Sequence, residues 1–178
     1  MSKGVNEVYK GAKLVDFTGT ASGFQQMKRF GPEFIDLIRK SKDGAKAVVI
    51  IDRGFGGRYS KPMLVRDHIN LSGDNPLVGH NDPEIGPRFP IVQGIYLTDA
   101  LQGSDTGIVA GLKEGVKADA EDQDLLRTIG VDICSYNVVP SMLIAAHAGW
   151  KVLAILLPDD VTLSSDQLNE ISELTGSK

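Results

Sequence analysis

The sequence predicts one α/β domain with a mixed or parallel sheet flanked by helices. Two uninterrupted aliphatic runs, residues 47–51 (AVVII) and 152–157 (VLAILL), have the composition of strands that are buried on both faces. Helical stretches lie between and after such runs, so strands and helices alternate along the chain. The chain has 178 residues, of which 42% are hydrophobic, and this is enough to bury one core. No internal repeat or domain boundary stands out, so we interpret residues 1–178 as one domain.

The first part of the chain predicts two strands with a helix between them. Residues 1–12 are polar, and we expect them to form a loose arm. Residues 13–17 (KLVDF) are a strand candidate, and residues 47–51 are the next one. Pro32 suits the first turn of the intervening helix, because its missing N–H would be unpaired there anyway. The apolar face of that helix consists of Phe34, Ile35, Leu37 and Ile38.

The rest of the chain predicts further alternation. The strand candidates are residues 63–65, 95–97, 107–110, 131–134 and 152–157. The helix candidates are residues 121–129, which carry acids in the first turn, and the mostly apolar residues 139–147, which Gly149 ends. Ser164 and Gln167 have the spacing of a capping box, which predicts a last amphipathic helix with Leu168, Ile171 and Leu174 facing inward.

Charge, cysteine usage and hydropathy exclude several classes of protein. A net charge of −4 argues against a surface for nucleic acid or an anionic membrane, which would carry clustered Lys and Arg. The single cysteine, Cys134, excludes an internal disulfide and a Cys-based zinc site, and its apolar neighbours indicate a buried thiol. No apolar run approaches the length of a membrane span, and the N-terminus has no signal-peptide core. We therefore expect a cytoplasmic protein without a metal.

The longest polar segment is residues 63–90, which begins as a strand and then becomes rich in turn residues. Long loops in compact domains are usually functional, so we expect a site, or what is left of one, on this segment. Asp67, His68 and Asn70 could form a catalytic cluster, or they could be a hydrogen-bonding scaffold that holds the loop. His147 lies in the apolar helix, where a satisfied core histidine is the simpler interpretation.

A glycine-rich turn follows the buried strand 47–51, at the carboxyl end where ligands bind in open α/β sheets. Arg53 and Arg58 flank Gly54, Gly56 and Gly57, and this arrangement could cradle a phosphate. The alternative is two surface arginines beside a turn. The pair Asp159–Asp160 likewise could act in acid–base chemistry, or it could be a solvated turn after Pro158.

Several ordered motifs resemble those of trimeric purine nucleoside phosphorylases. They are RDHINL, NPL-x-G-x-ND and G-x-RFP in residues 66–90, VVIID before the glycine-rich turn, IVAG, and the run GVDICSYNVVPSMLIAAHAGWKVLAI. The match covers roughly residues 33–160. It implies an α/β sandwich around a mixed sheet, assembled as a homotrimer. It also implies a glycosyltransferase that cleaves inosine or guanosine with phosphate as co-substrate and no other cofactor.

The resemblance assigns candidate substrate residues by position. Phe89 matches the aromatic residue that reaches the adjacent subunit's ribose pocket, and Tyr136 stands where the family has a sugar-contacting methionine. Asn137 replaces a phosphate-binding serine, and Asp160 replaces the asparagine that donates to the purine. The purine-clamping glutamate aligns near Lys117 and Ala118 and is therefore expected to be lost. Glu114 or Glu121 could replace it only on a rearranged backbone.

Two interpretations of function follow from these substitutions. One is a shortened, divergent nucleoside phosphorylase or hydrolase in which ordinary phosphorolysis is weak or absent. The other is a non-catalytic protein that binds a nucleoside, phosphate or a partner on the same scaffold. Groups that stabilise a transition state each contribute roughly 10²–10³ in rate, so the loss of several disfavours catalysis.

Overall fold

The computed structural model describes residues 9–18, 32–41, 44 and 46–176. One six-stranded sheet is built from β1 (Lys13–Asp16), β2 (Ala47–Arg53), β3 (Met63–Asn70), β4 (Asp105–Gly111), β5 (Ile133–Ser135) and β6 (Lys151–Leu157). The helices of these ranges are α1 (Pro32–Ser41), α2 (Ala120–Thr128), α3 (Val138–His147) and α4 (Ser165–Thr175).

The sheet is mixed, as the sequence predicted. Its strand order is β1-β2-β6-β3-β4-β5. The strands β1, β2 and β6 are parallel to one another, and so are β3, β4 and β5. The two parallel halves meet at an antiparallel seam, where Met63 pairs with Leu156 and Leu64 pairs with Ile155. The seam therefore separates one half-sheet, of β1, β2 and β6, from a second half-sheet, of β3, β4 and β5.

The sheet curls so that the carboxyl ends of β2 and β5 meet. Just beyond β2, Phe55 forms an antiparallel bridge with Cys134 in β5. The Phe55 N–H donates to the Cys134 carbonyl at 3.0 Å, and the Cys134 N–H donates back at 2.8 Å. This bridge brings residues from both half-sheets to one place.

Buried residues fill both faces of the sheet. Val48 and Ile50 of β2 belong to a core that includes Phe34 of α1 and Met142 of α3. Val49 and Ile51 point to the opposite face and pack with α4, since successive strand residues alternate between faces. The uninterrupted aliphatic composition of β2 and β6 follows from this double burial. The molecule is an α/β sandwich, which confirms the predicted fold class.

The ends of α4 and α3 confirm two local predictions. The Ser164 Oγ accepts from the Gln167 N–H at 3.2 Å, and the Gln167 side chain accepts from the Ser164 N–H at 3.0 Å, which completes the capping box. The inward side chains of α4 include the buried Ile171 and Leu174. Gly149 follows α3 with a φ of 71°, a conformation that glycine adopts without strain.

The third strand is longer than predicted. Only residues 63–65 have the composition of a buried strand, yet β3 continues to Asn70 because its backbone pairs with β4 throughout. A bulge between Val65 and Asp67 shifts the register. Arg66, Asp67 and Asn70 in this second half are exposed, so burial does not select for apolar residues there, whereas His68 is half-buried against Tyr96. The interpretation of these residues as loop was wrong.

Two other segments differ in detail from expectation. In residues 95–97 only Tyr96 is paired, in an isolated bridge with Val152. Within the expected arm, residues 9–12 are packed: Ala12 is buried, and the N–H groups of Gly11 and Ala12 donate to the Leu174 carbonyl of α4. Residues 1–8 of the arm lie outside the described ranges.

Candidate functional site

A cavity of about 510 Å³ opens at the carboxyl ends of β3, β4 and β5. Its walls come from the segments that follow these neighbouring parallel strands, which is where α/β sheets place their ligands. The lining residues are Ser72, Asp74, Asn75 and Pro76 after β3, Leu112, Lys113 and Glu114 after β4, and Tyr136, Asn137 and Pro140 after β5.

Tyr136 lines the cavity with an apolar ring and a polar hydroxyl. Its ring lies against that of Phe55, with 4.6 Å between the ring centroids and a tilt of 39°. Its hydroxyl donates to the Val116 carbonyl at 2.8 Å, which ties the segment after β4 to the segment after β5. Partial burial, together with nearby Cys134 and Glu114, raises the pKa of Tyr136, so the phenol stays protonated and continues to donate.

The segment after β3 is held by its own hydrogen bonds. The Ser72 Oγ donates to the Asn70 Oδ1 at 2.6 Å, and the Asn70 Nδ2 donates to the Asp74 carbonyl at 2.9 Å. Such local side-chain bonds fix a turn without secondary structure. They present Ser72 and Asp74 to the cavity in a defined geometry.

Beneath the cavity lies a buried polar cluster that sequence reasoning missed. Asp52, at the end of β2, accepts from the Ser135 Oγ at 2.7 Å and from the Asn137 Nδ2 and N–H at 3.2 and 3.3 Å. Burial raises the pKa of Asp52, and these hydrogen bonds only partly oppose the effect of burial. The one signal in the sequence is an acid directly after five aliphatic residues.

The structure brings Tyr136 and Asn137 together, and it places the other two predicted substrate residues elsewhere in the chain. Asp160 lies in an exposed turn with a φ of 63° and lines a separate open cleft beside the start of α4. Phe89 is 85% exposed on the segment after β3 and does not line the cavity of its own chain. Within one chain, therefore, Tyr136 and Asn137 are the predicted substrate residues that share a cavity.

The candidate phosphate residues are engaged in the fold. The Arg53 guanidinium donates to the carbonyls of Pro158 and Val161 at 3.1 and 2.9 Å, which braces the turn after β6. The Gly54 N–H donates to the Leu157 carbonyl, and a Cβ at this position would lie 2.2 Å from the Ile133 Cδ1. The turn needs glycine there because β2 and β5 approach closely.

The later glycines of that turn, Gly56 and Gly57, lie close to α2 and to the start of β5. Gly56 has a φ of 74° and faces the side chain of Gln123, and a Cβ on Gly57 would lie 3.0 Å from the Asp132 carbonyl. Arg58 is exposed. None of the predicted phosphate residues lines the cavity, so their proposed role as a phosphate cradle has no support from its walls.

The histidines have structural surroundings. The His147 Nε2 lies 3.0 Å from the Asn81 Oδ1 and 3.1 Å from the Gly86 carbonyl. Both partners are acceptors, so this nitrogen carries the proton and fastens the segment after β3 to α3. His68 contacts Tyr96 edge-on, and burial lowers the pKa of His68.

Two absences hold for the ranges that the structure describes. No three His, Cys, Asp or Glu side chains gather there as a metal site would require. No helix there is both apolar enough and long enough to cross a membrane.

Glu114 is the other site residue that the sequence left uncertain. It lines the cavity together with Tyr136 and Asn137, and its charge contributes to the raised pKa of Tyr136. A carboxylate is therefore present on this wall, although the alignment of motifs had placed the family's glutamate near Lys117 and Ala118.

Comparisons with known proteins point to one family, although no protein-family model matches the chain. Purine nucleoside phosphorylase 1 of Bacillus subtilis is 29% identical over 160 residues, which cover 76% of this chain and 59% of that protein. The mouse (Mus musculus) enzyme is 31% identical over 129 residues, which cover 63% of this chain and 45% of the relative. The chain thus spans at most about three-fifths of these two relatives.

Solved structures share the fold over nearly the whole chain. Schistosoma mansoni purine nucleoside phosphorylase in complex with adenosine gives a TM-score of 0.70 at 20% identity, covering 95% of this chain and 85% of that one. A purine nucleoside phosphorylase in complex with ribose-1-phosphate gives 0.73 at 19% identity, covering 95% and 90%.

The curled mixed sheet, the sandwiching helices and the cavity at the ends of β3, β4 and β5 define a nucleoside-phosphorylase-like α/β protein. Sequence similarity narrows this class. The chain is similar in sequence to purine nucleoside phosphorylases, and the resemblance of its motifs is confirmed.

Proposed function

We propose that this chain is a purine nucleoside phosphorylase-like protein of nucleoside metabolism, that its cavity binds a purine nucleoside, and that ordinary phosphorolysis is weak or absent. The observation that carries the proposal is the meeting of Glu114, Tyr136 and Asn137 in one cavity after β4 and β5. Tyr136 and Asn137 lie within the run GVDICSYNVVPS that resembles the family, and Glu114 follows the motif IVAG.

The chemistry of the cavity suits a nucleoside. Its volume of about 510 Å³ lies within the usual range for small-molecule sites. Tyr136, backed by Phe55, offers an aromatic face for a sugar or base. The carboxylate of Glu114 can accept from a purine N–H, and Asn137 adds an amide to the same wall.

Weak phosphorolysis is supported by the groups around the expected phosphate position. Arg53 is engaged with two backbone carbonyls, and Asn137 stands where the resemblance places a phosphate-binding serine. Each missing transition-state donor lowers the rate by roughly 10²–10³, and more than one is absent among the positions that match the family motif.

One experiment separates the possibilities: release of hypoxanthine from inosine, measured with and without phosphate. We expect inosine to bind and release of base to be slow in both conditions. Glu114→Gln should weaken inosine binding about tenfold, on the scale of a hydrogen bond to a charged group. Glu121→Gln on the exposed side of α2 is the matched control and should change nothing. Robust phosphate-dependent turnover would overturn the weak-activity proposal, and no inosine binding would overturn the site.

A binding or interaction protein on the same scaffold is the second candidate. It is favoured by exposed apolar side chains on the segment after β3, where Val78, Phe89 and Ile91 are each more than 80% exposed. In the homotrimer implied by the resemblance, Phe89 would reach the pocket of a neighbouring subunit. Light scattering should then give three times the chain mass of 19.1 kDa. A monomer that does not bind inosine would favour an interaction role for this surface.

A further inference from the structure

The first N–H groups of α3 are directed at groups inside the protein. The Val138 N–H donates to the Ser135 Oγ at 3.2 Å, and the Asn137 N–H lies 3.3 Å from both the Ser135 Oγ and the Asp52 Oδ2. The N-terminus of a helix carries partial positive charge and attracts anions. Here the protein's own carboxylate lies at that end.

The groups around Asp52 are arranged as hydrogen-bond donors to its ionised form. The Ser135 hydroxyl accepts from Val138, so its own proton is free to point at the Asp52 Oδ2, 2.7 Å away. The Asn137 Nδ2 and the backbone N–H groups of Arg53 and Asn137 also donate to this carboxyl. Each of these donors favours the charged form of the carboxyl, in opposition to burial, which raises its pKa. Asp52 is only 5% exposed, so water screens this charge weakly.

The cavity lies directly above this anion. Asn137 lines the cavity and at the same time holds Asp52 through its amide and its backbone. Any anion bound beside Asn137 would meet a buried negative charge and a helix end whose N–H groups are already used. Two like charges a few ångströms apart repel each other strongly where the effective dielectric constant is low.

We propose that Asp52 is a specificity-determining residue, which supplies the negative charge at the N-terminus of α3 internally and so excludes a phosphate anion while a neutral nucleoside is accepted. This inference rests on the proposed nucleoside site. It assigns to Asp52 the choice of co-substrate and not the recognition of the base.

The test is titration of inorganic phosphate by calorimetry, without nucleoside, into the full chain and its variants. Asp52→Asn keeps the size of the side chain and removes its charge, and Asp52→Ser also leaves room beside the helix end. We expect wild type to show no binding at millimolar phosphate. At least one variant should bind with a Kd that is about tenfold or more below the wild-type limit, because one repulsive charge has been removed.

Asp16→Asn is the matched control. Asp16 is also a buried carboxylate at the end of a strand, but its side chain accepts hydrogen bonds from Thr18. Asp16 pairs with Ile51, the residue before Asp52, and successive strand residues point to opposite faces. Asp16 therefore lies on the other face of the sheet from Asp52. This variant should not gain phosphate binding.

The outcomes separate this inference from the proposed function. Tight phosphate binding by wild type overturns the inference, as does its absence from both folded Asp52 variants or its gain by Asp16→Asn. Circular dichroism establishes folding, and failure of both variants to fold would assign Asp52 to the fold and overturn its role in specificity. Inosine binding to wild type is measured separately: its loss would overturn the nucleoside site and leave the phosphate result standing.

Discussion

Gly54→Ala should destabilise the protein through a single contact. A Cβ at this position would lie 2.2 Å from the Ile133 Cδ1 and 2.8 Å from its Cγ1, whereas ordinary contact begins near 3.4 Å. Ile133 is buried in β5, so its side chain must shift against its packed neighbours to make room. Overpacking of this kind costs about 1–3 kcal/mol. With a urea m-value near 2 kcal/mol/M, a loss of about 2 kcal/mol lowers the unfolding midpoint by about 1 M.

A double-mutant cycle tests whether this contact is the cause. Ile133→Val removes the Cδ1 atom and alone should cost about 0.5–1.5 kcal/mol through the cavity it leaves. In the Gly54→Ala background it removes the closer overlap, with Cδ1, and leaves the one with Cγ1, so it should cost less than it does alone, with a coupling of about 1 kcal/mol. Gly44→Ala is the control, because, apart from its chain neighbours, no atom of the described residues would lie within 4 Å of its Cβ. Additive free energies in urea denaturation would refute the reasoning.

Three further predictions concern polar groups. Burial raises the pKa of Asp52 in the folded state above its ordinary value of 3.8. Asp52 therefore contributes fully to the free energy of unfolding below pH 3.8, and this contribution is lost as the pH rises through the folded-state pKa. Asp52→Asn should flatten this part of a profile of stability against pH. Tyr96→Phe removes a buried hydroxyl that has no hydrogen-bond partner in the described ranges, so the urea midpoint should stay unchanged or rise. Its control, Tyr59→Phe, loses a hydrogen bond to Asp132 and should cost about 1 kcal/mol of stability. Tyr136→Phe frees the Val116 carbonyl and should cost about 1 kcal/mol and weaken inosine binding. A destabilised Tyr96→Phe variant, a neutral Tyr136→Phe variant or an unchanged pH profile would each contradict the corresponding explanation.

The strands that are buried on both faces were predictable because burial dictates their composition. Residues 47–51 and 152–157 can only be buried, and β2 and β6 contain them in full. The second half of β3 was not predictable in this way. Arg66, Asp67 and Asn70 are exposed there, so burial does not dictate their type, and pairing with β4 rather than composition keeps this half extended.

The site was predictable only in part, for a related reason. Tyr136 and Asn137 were predicted because they lie in a long run of residues that resembles the family, and both line the cavity. Asp52 was missed because its importance arises from Ser135 and Asn137, which are 83 and 85 positions away in the chain. Glu114 was left uncertain because only the three-dimensional course of the segment after β4 places it in the cavity.

The antiparallel seam between β3 and β6 means that the cavity can form only after the two half-sheets have docked. Only two residue pairs join the half-sheets there, while Asp52 from one half holds Ser135 and Asn137 from the other. The polar cluster beneath the cavity (Asp52, Ser135 and Asn137), here called the pocket floor, thus comes from parts that are distant in sequence. It exists only when the two half-sheets have docked. A ligand that requires this floor binds only the docked state and stabilises it by mass action. Amide exchange at the seam would therefore slow on saturation with the ligand, even at residues that never touch it.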